Sequence, residues 1–182
     1  MKNNPAKTKF LIAIITAILS FLVITIAYFN PLLEGKRLEQ HDIAMWKGMS
    51  KEIVDFREET GEEPLWTNAM FGGMPAWQIS VIYGNNLMRY VKKVVQLWLP
   101  YPANAVFVYM LGFFILLLVM RVNPWLSMAG AIAFAFSSYF FIILGAGHTS
   151  KAYAIGYMAP VLAGIVLAYQ GKYLWGALLA SI

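Results

Sequence analysis

Phe10-Leu11-Ile12-Ala13-Ile14-Ile15-Thr16-Ala17-Ile18-Leu19-Ser20-Phe21-Leu22-Val23-Ile24-Thr25-Ile26-Ala27-Tyr28-Phe29 runs without a single charged residue. At 1.5 Å of rise per residue, about 20 apolar residues cover the ~30 Å hydrocarbon core of a bilayer, so the stretch predicts a membrane-crossing helix. A cleaved signal peptide is the rival reading. The apolar run is long for one, and no small-x-small cleavage site follows in Tyr28-Phe29-Asn30-Pro31.

The rest of the chain repeats this blocked pattern. Uncharged runs extend from Ala103 to Met120, from Trp125 to Leu144 and from Ala152 to Tyr169, and are read as spans two to four. The apolar tail from Tyr173 to Ile182 has about half the length of a crossing, which predicts the start of a truncated fifth span and a larger parent protein. Composition agrees: 60% of the 182 residues are hydrophobic and only 13% charged, far from the mix of an ordinary soluble domain. There are no cysteines, which excludes disulfides and thiolate metal sites. The net charge of +5 comes from Lys and Arg at span ends and in one long loop. They form no single basic stripe, which argues against nucleic acid as a partner and leaves membrane lipid.

Lys2, Lys7 and Lys9 precede the first span, Arg121 separates spans two and three, and Lys172 follows span four. With these on one side, the positive-inside rule places the N-terminus in the cytoplasm and the chain as a multi-pass protein of the inner membrane. The expected fold class is all-α: a polytopic transmembrane helical bundle with a long extracytoplasmic loop bearing amphipathic helices. Its divisions are residues 1–29 (cytoplasmic N-terminus and span one), 30–102 (outer loop) and 103–182 (spans two to four and the start of a fifth).

All nine acidic residues lie in the outer loop, from Glu34 to Glu63. Between Ile43 and Glu59, Trp46, Met49, Ile53 and Phe56 recur at helical spacing, opposite Lys47, Lys51, Asp55 and Glu58. Asp42 stands at the entrance to that helix and has two readings. One is an N-cap; the other is a general base or metal ligand close to the membrane face. A looped stretch follows, in which Trp66, Phe71 and Trp77 either offer an apolar platform for a sugar ring or acyl chain or pack on their own loop, and Gly72-Gly73 permits close backbone approach. A second amphipathic stretch covers Asn86 to Leu99, ended by Pro100 and Pro102. The hairpin Gly145-Ala146-Gly147-His148-Thr149-Ser150-Lys151 gathers hydrogen-bond donors on the same outer face. There Lys151 and His148 either meet a phosphate or belong to a solvated turn with a snorkelling lysine.

The chain resembles the N-terminal portion of the bacterial YfhO-like family of large membrane proteins, of GT-C glycosyltransferase type. The residues carrying the resemblance are Gln40-His41-Asp42, Glu63-Pro64-Leu65-Trp66-Thr67-Asn68, Phe71-Gly72-Gly73-Met74-Pro75, Gly147-His148 through Lys151, Tyr157 and Pro160. It implies sugar transfer from a polyprenyl-phosphate donor to a glycan or glycolipid acceptor at the outer membrane face. It assigns catalysis to Asp42 and substrate binding to His148, Lys151, Trp66 and Asn68, with a divalent metal left open. Two other classes fit the residues: a transporter or flippase-like protein in which Pro160 breaks span four near a binding site, and a non-catalytic scaffold that docks partners on the outer loop. The first four spans contain no ionisable residue other than tyrosine, which counts against a coupled-ion path within this segment.

Overall fold

The computed structural model describes residues 5–181; Lys2 and Ile182 lie outside the described residues. The chain is mostly helical and divides into two compact units. One comprises the residues up to Leu38, Met88–Leu144 and those from His148 onward; the other comprises Glu39–Leu87 with Gly145–Gly147. The expected predominance of helix holds, and the second unit adds a hairpin of two strands of two residues each.

In the first unit, α1 (Pro5–Tyr28) shows one buried stripe, Ala13, Ala17, Phe21 and Thr25, spaced four apart. Small residues in that stripe let the helix pack along α6 (Ala103–Val119) and α7 (Pro124–Ala135), with Phe21 set edge-on to Phe114 at 5.5 Å. The remaining faces of α1 expose Leu11, Ile12, Leu19 and Val23. A short turn, α2 (Asn30–Leu33), follows directly. Two helices are long and apolar enough to cross a membrane, α1 and α9 (Thr149–Tyr169).

The expected second span is α6, whose 17 residues make it the shorter apolar helix. The expected third span is not one helix. It is α7 followed by α8 (Ser138–Ala146), bent by 45° at Phe136 and Ser137, and counts as a single crossing only if the pair is taken together. Asn123 caps α7 by accepting the Trp125 N–H at 3.0 Å, and Pro124 occupies the first turn, where no N–H is needed.

The break expected at Pro160 is absent: α9 runs continuously through it. The proline ring is accommodated by Gly112 of α6, the residue across from it, where a Cβ would fall 2.8 Å from Pro160 Cδ. At the far end of α9, Gly164 and Gly176 of α10 (Tyr173–Ala180) bring two backbones together. A Cβ on either would lie 2.7 or 2.8 Å from the other's carbonyl oxygen. Small residues at such crossings permit the approach on which helix packing in lipid depends.

The expected interfacial helix at Asn86–Leu99 is shorter, α5 (Met88–Val95). Leu97 and Trp98 take positive φ values of 50° and 53°, turning the chain before Pro100. A residue preceding proline is disfavoured from the helical region, so the helix could not have run through Leu99.

In the second unit the single expected helix is two, α3 (His41–Met49) and α4 (Lys51–Thr60), joined at Ser50. Ile53 is its main buried apolar side chain, while Trp46 and Phe56 remain 40% exposed. Gly61, in the left-handed conformation at φ 73°, ends α4 by donating its N–H to Arg57 O. β1 (Trp66–Thr67) pairs antiparallel with β2 (Met74–Pro75), and a 3-10 turn at Ala76–Gln78 follows. The Trp46 indole N–H, donated to Ile79 O at 2.9 Å, ties α3 to the segment after that turn.

Candidate functional site

Asp42 lies in the first turn of α3 and is partly exposed. The N-cap position belongs to Gln40, which makes no side-chain capping bond, so the capping reading of Asp42 is corrected: the helix begins two residues too early for it. A carboxylate in the first turn still gains from the partial positive charge of the helix N-terminus. In the same unit, the Gly147 turn packs on the start of α3: a Cβ there would fall 3.1 Å from Gln40 Cβ and 3.3 Å from Ile43 N.

Trp66 belongs to β1 and is 56% exposed, and Phe71 and Trp77 are exposed as well. The close approach expected at Gly72-Gly73 occurs at Gly73, where a Cβ would lie 2.7 Å from the Trp66 indole nitrogen. The indole therefore uses that space itself, while Gly72 has open space beside it. Asn68 exposes its side chain and donates its backbone N–H to the Glu52 carboxylate at 3.1 Å. Thr67, almost wholly buried, donates its hydroxyl to the same carboxylate at 2.8 Å and accepts the Ala69 N–H. Glu52 thus organises the Thr67-Asn68 corner from the first turn of α4, a role the sequence reading missed. Its only sequence signal was a Glu early in a helix.

His148 occupies the N-cap position of α9, and Lys151 projects from the first turn with its Nζ 5.3 Å from the centre of the Tyr139 ring. Both are exposed. Asp42, Trp66 and Asn68 belong to one compact unit, His148 and Lys151 to the other.

The helical unit contains a second concentration of polar chemistry that the sequence reading did not assemble. Asn104, in the first turn of α6 and 6% exposed, donates through Nδ2 to Gln96 Oε1 and to Tyr153 OH, each at 3.0 Å. Gln96 donates in turn to Tyr157 OH at 3.3 Å. The Lys92 ammonium sits 3.5 Å over the Tyr153 ring, and burial pulls its pKa down. The hydroxyls of Tyr101 and Tyr109 and the Oδ1 of Asn104 are buried with no partner among the described residues. Buried polar atoms are nearly always hydrogen-bonded, so three such atoms give this region capacity for ordered water or a hydroxylated ligand. The available sequence signal was the four-residue spacing of Lys92 with Gln96 and of Tyr153 with Tyr157, which puts each pair on one helix face.

Among the described residues, no group of three or more His, Asp or Glu is placed to hold a metal ion. Compared with protein-family models, curated proteins and solved structures, the chain gives no match.

Proposed function

We propose that this chain belongs to a polytopic inner-membrane glycosyltransferase of GT-C type, transferring a sugar from a polyprenyl-phosphate donor to a glycan or glycolipid acceptor at the outer membrane face. The observation that carries the reading is Asp42, a part-exposed carboxylate in the first turn of the first helix of more than one turn after α1. The sequence resemblance assigns catalysis to that residue.

In this reading α1, α6, the α7–α8 pair and α9 cross the bilayer, with the N-terminus cytoplasmic. The exposed apolar faces of α1 support contact with lipid, because apolar patches of that size are otherwise rare on a protein surface. Asp42 takes the proton of the acceptor hydroxyl as that oxygen bonds to the anomeric carbon. The bond from the same carbon to the donor phosphate breaks, and the polyprenyl phosphate leaves with the electron pair. Lys151 and His148 are the groups assigned to that phosphate, Lys151 as a point charge. Trp66 is assigned to the sugar or acyl chain and Asn68 to hydrogen bonding with it.

A second reading, a transporter or flippase-like protein, is favoured by the 45° break between α7 and α8, since discontinuous helices line many transport sites. Single cysteines introduced at Glu62 and His148 test the topology common to both. Labelling from the outer face is expected, and labelling at Glu62 only after the inner membrane is permeabilised contradicts it. Lys151→Met then tests the assigned phosphate contact: a raised KM for the lipid-linked sugar with folding intact supports it, and unchanged transfer kinetics removes Lys151 from the site; no sugar transfer by the intact parent protein favours the transport reading.

A further inference from the structure

A surface groove of about 340 Å³ lies at the C-terminal end of α1. Its walls are apolar, formed by Tyr28, Phe29, Leu32, Leu38 and Pro102, and two cations, Lys36 and Arg37, contribute to its lining. Tyr28 is held by ring contacts to Phe29, Phe136 and Phe141 at 5.0–5.3 Å, which makes one wall stiff.

The charges are not equivalent. Lys36 is paired with Glu34 at 2.8 Å, and Glu34 also accepts from Asn30 Nδ2. Arg37 is exposed and has no hydrogen-bond or ion-pair partner among the described residues. With Glu34 cancelling Lys36, the groove keeps one net positive charge, carried on a planar fork of donors suited to two phosphate oxygens.

We propose that this groove binds an anionic phospholipid of the outer leaflet, its phosphate on Arg37 and the upper part of an acyl chain against Tyr28, Phe29 and Leu32. The proposal rests on α1 crossing the bilayer and not on sugar transfer. An apolar wall continuous with the end of a 24-residue apolar helix and topped by an unpaired guanidinium matches a molecule that is apolar below and anionic above. A phospholipid reaches this depth by lateral diffusion alone. The volume accommodates a phosphate and part of a chain, not a whole lipid, so the rest of the acyl chain lies along the exposed face of α1.

The test uses the intact chain in nanodiscs of phosphatidylcholine carrying a minor fraction of photoactivatable phosphatidylglycerol, with cross-links located by mass spectrometry. Cross-links are expected in residues 28–38, and photoactivatable phosphatidylcholine at the same fraction should give about five-fold fewer. Arg37→Gln should lower the phosphatidylglycerol yield about five-fold, the worth of one cation near a membrane surface, whereas Arg37→Lys should retain most of it and Lys36→Gln should change it less than Arg37→Gln. Both Arg37 variants leave an exposed site without altering the core, and equal helical content confirms that they fold. Equal cross-linking of the two lipids, or an Arg37→Gln yield unchanged from the parent, overturns the proposal. Complete displacement by equimolar polyprenyl phosphate also overturns it, by naming a different occupant.

Discussion

Gly112 of α6 faces Pro160 of α9 so closely that a Cβ on Gly112 would fall 2.8 Å from the proline Cδ and 2.9 Å from the carbonyl oxygen of Gly156. That oxygen is the one that Pro160, lacking an N–H, leaves without its helical donor. Gly112→Ala is therefore expected to destabilise the α6–α9 pair by about 1–3 kcal/mol through overpacking. Pro160→Ala removes the ring and restores the donor, so the double variant should cost less than the sum of the two singles. Additive unfolding energies in detergent would show that the two positions are independent.

Asn104 joins three elements through one side chain, donating to Gln96 after α5 and to Tyr153 on α9. Asn104→Leu leaves Gln96 and Tyr153 short of a buried partner, at a cost of about 1–3 kcal/mol. Amide exchange should accelerate across Met88–Val95 more than in α6. Unchanged protection of α5 would mean that the amide network does not hold it.

Lys92 gives a pH dependence with a definite sign. Burial lowers its pKa from 10.5, so the folded state disfavours the charged form. The cost applies in full below the lowered pKa and fades as pH rises from there to 10.5, which makes this residue's contribution to stability improve with alkalinity. Acylation of Lys92 against pH should show a midpoint below 10.5 in the folded chain and a return toward it on unfolding. A folded-state midpoint at or above 10.5 would contradict the burial.

Glu52 holds the Thr67-Asn68 corner by accepting from a buried hydroxyl and a backbone N–H. Glu52→Ala should loosen the hairpin by about 1–3 kcal/mol, seen as faster exchange of the Asn68 amide and greater rotational freedom of Trp66. If Asn68 exchange is unaltered, the β1–β2 pairing holds the corner without Glu52.

Apolar blocks made the long helices legible, because α1 and α9 need only length and hydropathy to be recognised. The bend at Phe136 and Ser137 was not legible: neither residue breaks a helix by propensity, and the turn arises where Phe134 stacks on Phe113 at 4.2 Å while Phe140 packs on Tyr109. Pro160 misled in the opposite direction, since its tolerance depends on a glycine 48 positions away in the chain. Asp42 was located near a helix start, but its cap role failed because helix boundaries shift by a residue or two. The Asn104 network joins Gln96, just after α5, to α6 and α9; spacing places Tyr153 with Tyr157 on one face, but no local pattern reports that this face meets Asn104, 49 residues away.

The central claim is sugar transfer dependent on Asp42. Its most direct measurement is glycosyl transfer from a polyprenyl-phosphate sugar by the intact protein reconstituted in lipid, comparing the parent with Asp42→Asn. The substitution keeps size and removes charge and basicity, so transfer should fall by about 10²–10⁴-fold at unchanged thermal stability. An Asp42→Asn protein that folds and transfers sugar at the parent rate would contradict the account.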